Sequence, residues 1–154
     1  MEINIIIFLN LLAYSLVVSQ SFIYVIALNN VQRNMGVSSY IELRKLLDRN
    51  FRKKYSIIIY FALLSSSLLT LLTSMNTSSW LFISSAIALL ALIADIMIAV
   101  KGNIPINNTI NTWATDNYPS DWKNYRSKWL SFFSKRQIVN ITGFICLLSG
   151  AIFG

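Results

Sequence analysis

The chain has 154 residues, of which 55% are hydrophobic and 12% charged, where a soluble domain carries about 25% charged residues. That balance excludes an ordinary water-soluble globule, and the length suits one membrane domain. The net charge of +7 does not mark a nucleic-acid binder, because the basic residues flank long apolar runs instead of forming one soluble surface.

Cys146 is the sole cysteine, which rules out an intrachain disulfide and a CxxC redox pair. Histidine is absent, which removes the commonest metal ligand and the usual general base near neutral pH. There is no Gly-rich phosphate loop, metal-ligand cluster or Ser-His-Asp set. No metal or other cofactor is therefore expected.

Four apolar stretches approach the roughly 20 helical residues that a bilayer core of ~30 Å requires. The first, at about 3–28, has no Lys or Arg before it and is too long for a signal-peptide core, so it reads as an uncleaved span. The second lies at about 55–74 and the third at about 79–100. The fourth is short, at about 138–153, and is taken to begin a turn earlier, near 136. None of them alternates as a strand would, so the expected fold class is an all-α membrane protein with a four-helix bundle.

The basic residues set the expected orientation. Arg33, Arg44, Lys45, Arg49, Arg52, Lys53 and Lys54 fall between spans one and two, and Lys101, Lys123, Arg126, Lys128, Lys135 and Arg136 between spans three and four. With four spans both basic loops, 29–54 and 101–135, share one face. The positive-inside rule makes that face cytoplasmic, as for a multi-pass protein of a bacterial inner membrane with both termini outside.

The first loop has its own helical pattern. Ser39-Tyr40-Ile41-Glu42 has capping-box form. Tyr40, Leu43, Leu47 and Phe51 recur at helical spacing, while Glu42, Lys45, Arg49 and Arg52 face elsewhere. This predicts an amphipathic helix lying along the inner membrane surface before span two.

Polar and small residues fall on faces within the spans. Ser84, Ala88, Ala91, Asp95 and Ala99 form a stripe on span three, and Asn140, Gly143, Gly150 and Gly154 share a face on span four. Span one carries Asn10, Tyr14, Ser21 and Tyr24, and span two carries Ser66, Thr70 and Thr73. Small residues allow close helix approach in lipid; turned inward, these faces make either interhelical hydrogen bonds or a polar-lined centre. Asp95 lies six residues before Lys101, roughly 9 Å along a helix. An acid at that depth is usually paired or functional, with Lys101 or Arg136 as the available partner.

The stretch 101–137 concentrates the chemistry-bearing residues. Pro105 limits further regular helix after Gly102-Asn103, and Asn107, Asn108, Asn111 and Trp113 follow. Pro119 and Ser120 mark a break, with Ser120 able to cap a new helix. On that helix Trp122, Arg126 and Trp129 are spaced i, i+4 and i+7, with Arg136 two turns on. One reading is a cation–π ladder that stacks a flat ring and holds an oxyanion. The other is an interfacial belt of Trp and Arg at headgroup level.

Asn103-Ile104-Pro105-Ile106-Asn107, then Trp113, Pro119, Asp121-Trp122, Arg126, Trp129 and Arg136, together resemble the anthrone-oxygenase-like family of small four-span membrane proteins, with a weaker echo in residues 40–51. The resemblance implies oxidation of an apolar, phenolic or polyketide-like substrate without bound metal or flavin. Relatives often carry a histidine at the position of Phe133, so any role of that imidazole is absent here.

In the resulting scheme Arg126, Asp95 and Asn107 are the candidate catalytic residues. Arg126 holds the enolate oxygen with Asn103 and Asn107 as amide donors, and Asp95 is the base, with Asp116 and Asp121 as alternatives. Trp113, Trp122 and Trp129 stack the rings, and Arg136 and Asn140 complete the binding set. A second scheme is non-catalytic: the bundle binds a lipid or quinone-like molecule, or assists a larger membrane complex. A third, transport, requires a homo-oligomer, since four spans are few and no internal repeat is evident. All three schemes have the bilayer and a hydrophobic small molecule or lipid as partners.

Overall fold

The computed structural model describes residues 2–154. Helix α1 (Glu2–Ile23) runs through a π-helical turn at Tyr24–Leu28 into α2 (Asn29–Asn34). Helix α3 occupies Val37–Thr73. Helix α4 (Trp80–Ile98) passes through a second π turn at Ala99–Asn103 into α5 (Ile104–Asn111), and α6 covers Trp122–Phe153. The result is four long helices, each apolar and long enough to cross a membrane. They close into a square in which α1 packs on α3, α3 on α4, α4 on α6 and α6 back on α1.

The long helices contain 32 to 37 residues. At 1.5 Å per residue that is roughly 48–55 Å, well beyond a hydrocarbon core of ~30 Å. The excess lies at one end, where α2, the first half of α3, α5 and the first half of α6 form a basic helical head on the membrane bundle. Three expectations change accordingly. The amphipathic helix does not break off to lie along a surface, because residues 37–73 contain neither Gly nor Pro and run on as one helix. Pro105 does not end span three, because it sits in the first turn of α5, directly after the π turn, where a missing N–H costs little. The two predicted caps are displaced: α3 starts after Gly36 instead of Ser39, and α6 follows Asp121 instead of Ser120, neither with a side-chain cap.

The interface between α4 and α6 is made of small residues. A Cβ on Gly143 would meet the Tyr14 hydroxyl and come within 2.7 Å of Ala91 Cβ, and one on Gly150 would collide with Ser84. Glycine at these two positions is what lets the helices approach. The Ser84–Ala88–Ala91–Asp95 stripe thus meets the glycine face of α6. Hydrogen bonds tie the remaining polar faces. Asn10 Oδ1 accepts from Ser66 Oγ at 2.9 Å and Ser65 Oγ at 3.3 Å, and Tyr14 donates to the Ala88 carbonyl at 3.3 Å. An apolar cluster including Val17, Ala62, Leu69, Leu92 and Leu147 surrounds these bonds.

Candidate functional site, a cavity at the junction of bundle and head

All four long helices contribute to a cavity of about 370 Å³ where the apolar bundle meets the basic head. Its floor is an ionic network. Arg136 grips Asp95 with two bonds, Nε to Oδ1 at 2.7 Å and Nη2 to Oδ2 at 3.1 Å. Asn140 Nδ2 adds a third at 3.0 Å. Asp95 is completely buried, and its partner is Arg136, while Lys101 is exposed. Three charge-assisted bonds on one carboxylate are what allow it to lie at this depth.

The upper wall comes from α3 and α5. Arg44 Nη2 donates to Asn107 Oδ1 at 3.1 Å, and its guanidinium lies 3.7 Å from the centre of the Trp129 ring. Asn107 Nδ2 donates to Asp48 Oδ1 at 3.1 Å, and Asn111 to Asp48 Oδ2 at 2.9 Å. Asp48 also pairs with Arg52 at 3.0 Å. Asn103 Nδ2 holds the Trp129 carbonyl at 3.0 Å, which fixes α6 against the second π turn. Burial pushes the Arg44 guanidinium down to about 10, so it stays charged at neutral pH.

An aromatic wall completes the enclosure. Trp129 stacks on Phe133 with centroids 4.5 Å apart, and Phe133 meets Tyr24 edge-on at 4.5 Å. Phe133 is thus an apolar panel between the floor and the Arg44 wall. Both π turns border the cavity, the first through Tyr24 and Leu28 and the second through Ala99, Val100 and Asn103. A π turn holds one more residue than an α turn and recurs at functional sites. Here the two lie on diagonally opposite helices of the square, and both contribute to the lining. Exposed apolar residues, among them Leu28, Phe51, Tyr60 and Val100, mark where the lining reaches the outside of the bundle.

The structure divides the expected site residues into two groups. Asp95, Asn103, Asn107, Trp129 and Arg136 line the cavity, and Asn140 supports it from behind through Asp95. Arg126, Trp113 and Trp122 belong to a separate cluster in the head. There Arg126 Nη1 donates to the carbonyls of Met35 at 2.8 Å and Gln32 at 3.4 Å, next to the C-terminal end of α2, where a cation is favourable. Its guanidinium lies 4.5 Å from the Trp122 centroid and 5.8 Å from that of Tyr40. Burial drives the Tyr40 hydroxyl up to about 12. Trp113 meets Tyr125 edge-on at 5.2 Å, and its carbonyl accepts from Lys45.

The expected ladder of Arg126 between two indoles therefore does not form. Arg126 stacks on Trp122, while the Trp129 face is taken by Arg44. Arg126 clamps the α2–α3 junction, and Arg44 is the cavity cation that sequence reasoning missed. Its register was visible, since Tyr40, Arg44, Leu47 and Phe51 recur at i, i+4, i+7 and i+11. In the sequence Arg44 counts only among the basic residues that set the orientation. The candidate bases are also accounted for: Asp95 is tied into its ion pair, and Asp116 and Asp121 are exposed on the head.

No family model, curated protein or solved structure matches the chain.

Proposed function

We propose that this protein binds an amphiphilic small molecule drawn from the bilayer. The observation that carries this reading is the polarity of the 370 Å³ cavity, which runs from an apolar rim on the outside of the bundle to an interior of Arg, Asn and Asp side chains. Its volume falls in the range of about 300–1,000 Å³ typical of small-molecule pockets. Its position between the apolar bundle and the basic head suits the headgroup level of one leaflet, where an amphiphile enters tail and head together. All Lys and Arg residues lie within residues 33–54 and 101–136, toward the head end, which supports a cytoplasmic head with both termini outside.

A brominated fatty alcohol titrated into the full-length protein in neutral maltoside micelles tests the reading, because Trp129 lines the cavity. The expected result is a saturable component of tryptophan quenching that disappears in Trp129→Phe. Quenching that rises without saturation, or is unchanged in Trp129→Phe, would overturn it.

A second reading follows the resemblance to anthrone oxygenases. The stacked Trp129–Phe133 wall, with Arg44 lying over Trp129, suits a flat phenolate whose carbanion form reacts directly with oxygen. The engaged state of Asp95 and Asp48 weighs against it, since neither carboxylate is free to abstract a proton. Oxygen uptake on an anthrone by the same preparation, lost in Arg44→Gln, would favour this second reading.

A further inference from the structure

The cavity's charge inventory narrows the chemistry of its ligand, an inference that rests on the reading of the cavity as an amphiphile site. Three guanidiniums line it, those of Arg44, Arg52 and Arg136, with two carboxylates, Asp48 and Asp95. Arg52 pairs with Asp48 and Arg136 with Asp95. One positive charge remains, and it resides on Arg44. Asp48, one turn further along α3, favours the charged guanidinium from a distance but makes no direct ion pair with it; its oxygens bond to Arg52, Asn107 and Asn111. Among the described residues no carboxylate lies within ion-pair distance of Arg44.

Arg44 is nonetheless only 6% exposed, and its Nε has no hydrogen-bond partner. A buried cation without a counter-charge is unstable unless something else supplies one. Trp129 Nε1, on the same wall, is likewise a donor with nothing to bond. Arg44 and Trp129 together present donors suited to an oxygen acceptor that carries negative charge.

We propose that the cavity receives an amphiphile with a singly charged anionic head group, a carboxylate or a phosphodiester, held by Arg44 against the Trp129 face. The tail leaves through the apolar rim into the bilayer. A neutral head would leave Arg44 uncompensated, and a dianion would bring in one charge too many.

Calorimetry on the full-length protein in neutral maltoside micelles tests this with three probes: oleate, oleyl alcohol and phosphatidylglycerol. The expected result is that oleate or phosphatidylglycerol binds at least tenfold more tightly than oleyl alcohol. Which of the two anions is preferred identifies the source of the head group. In Arg44→Gln the preference for an anion over the alcohol should fall below twofold. Oleyl alcohol binding as tightly as both anions would overturn the proposal and leave the amphiphile site standing, as would Arg44→Gln retaining the tenfold preference. Failure of all three probes to bind would overturn the amphiphile reading itself. Should Arg44→Gln fail to fold, the acid-against-alcohol comparison on the unaltered protein decides alone.

Discussion

Two buried arginines on the lining of the same cavity do different work, and the difference lies in their partners. Arg136 is matched atom for atom by Asp95, so its charge is spent inside the protein. Arg44 meets an amide and an indole face, so its charge is available. The matched pair makes a stability prediction. Removing one member strands the other in a low-dielectric site, which typically costs ~3–5 kcal/mol, whereas replacing both by apolar groups is often nearly neutral. Asp95→Leu is therefore expected to destabilise the protein by about that amount, and Asp95→Leu with Arg136→Leu to recover most of the loss. Equilibrium unfolding in mixed micelles measures both. A double variant as unstable as the single one would show that Asn140 and the surrounding floor, more than the pair itself, hold this region together.

The cavity owes its width to elements whose hydrogen-bond register shifts in mid-helix. Within the second π turn the N–H of Ile104 reaches back to the carbonyl of Ala99, five residues away instead of four. Such a turn accommodates one extra residue while the helix beyond it keeps its orientation. Deleting Val100 should convert the turn to α-helix, leave Asn107 facing Arg44 and draw the wall inward. Deleting Leu90 in the regular part of α4 should rotate everything beyond it by about 100°. The expected outcome is that the Val100 deletion melts near the unaltered protein but loses saturable Trp129 quenching, while the Leu90 deletion does not fold. Equal destabilisation by both would refute this account of the turn. The π turns themselves were not legible in the sequence, because a change of register leaves no mark in composition, and Pro105 pointed toward a stop. The four spans were legible, because long apolar runs have few other uses. Of the candidate residues, Asp95, Asn103, Asn107, Trp129 and Arg136 line one cavity. Arg126 and Trp122 do not, because spacing on α6 fixes which residues share a face but not what that face meets, and Trp113 lies in the connection before α6, packed on Tyr125. Near its start the face covers the α2–α3 junction, and only two turns later does it reach the cavity.

At the scale of the whole molecule the bundle is polarised along its axis. The short connection between α3 and α4, residues 74–79, carries no charge, while the opposite end carries the head with its exposed Lys53, Lys54, Lys123 and Lys128. Positively charged connections are retained on the cytoplasmic side during insertion, and a short uncharged turn is easily translocated. In the proposed reading the side on which the head lies sets the leaflet that the cavity serves, since its floor at Asp95 and its wall at Arg44 lie toward the basic end. Orientation and ligand source are therefore one question. Cysteine labelling answers it: in a Cys146→Ser background, Asn76→Cys in the uncharged turn and Asp116→Cys in the head are both at exposed positions. A membrane-impermeant maleimide applied to intact cells is expected to label Asn76→Cys at once and Asp116→Cys only after permeabilisation. The reverse pattern would put the head outside and make the cavity open to the outer leaflet. The ligand would then have to be sought among molecules that arrive from outside the cell, although the charge left over on Arg44 would still require it to be an anion.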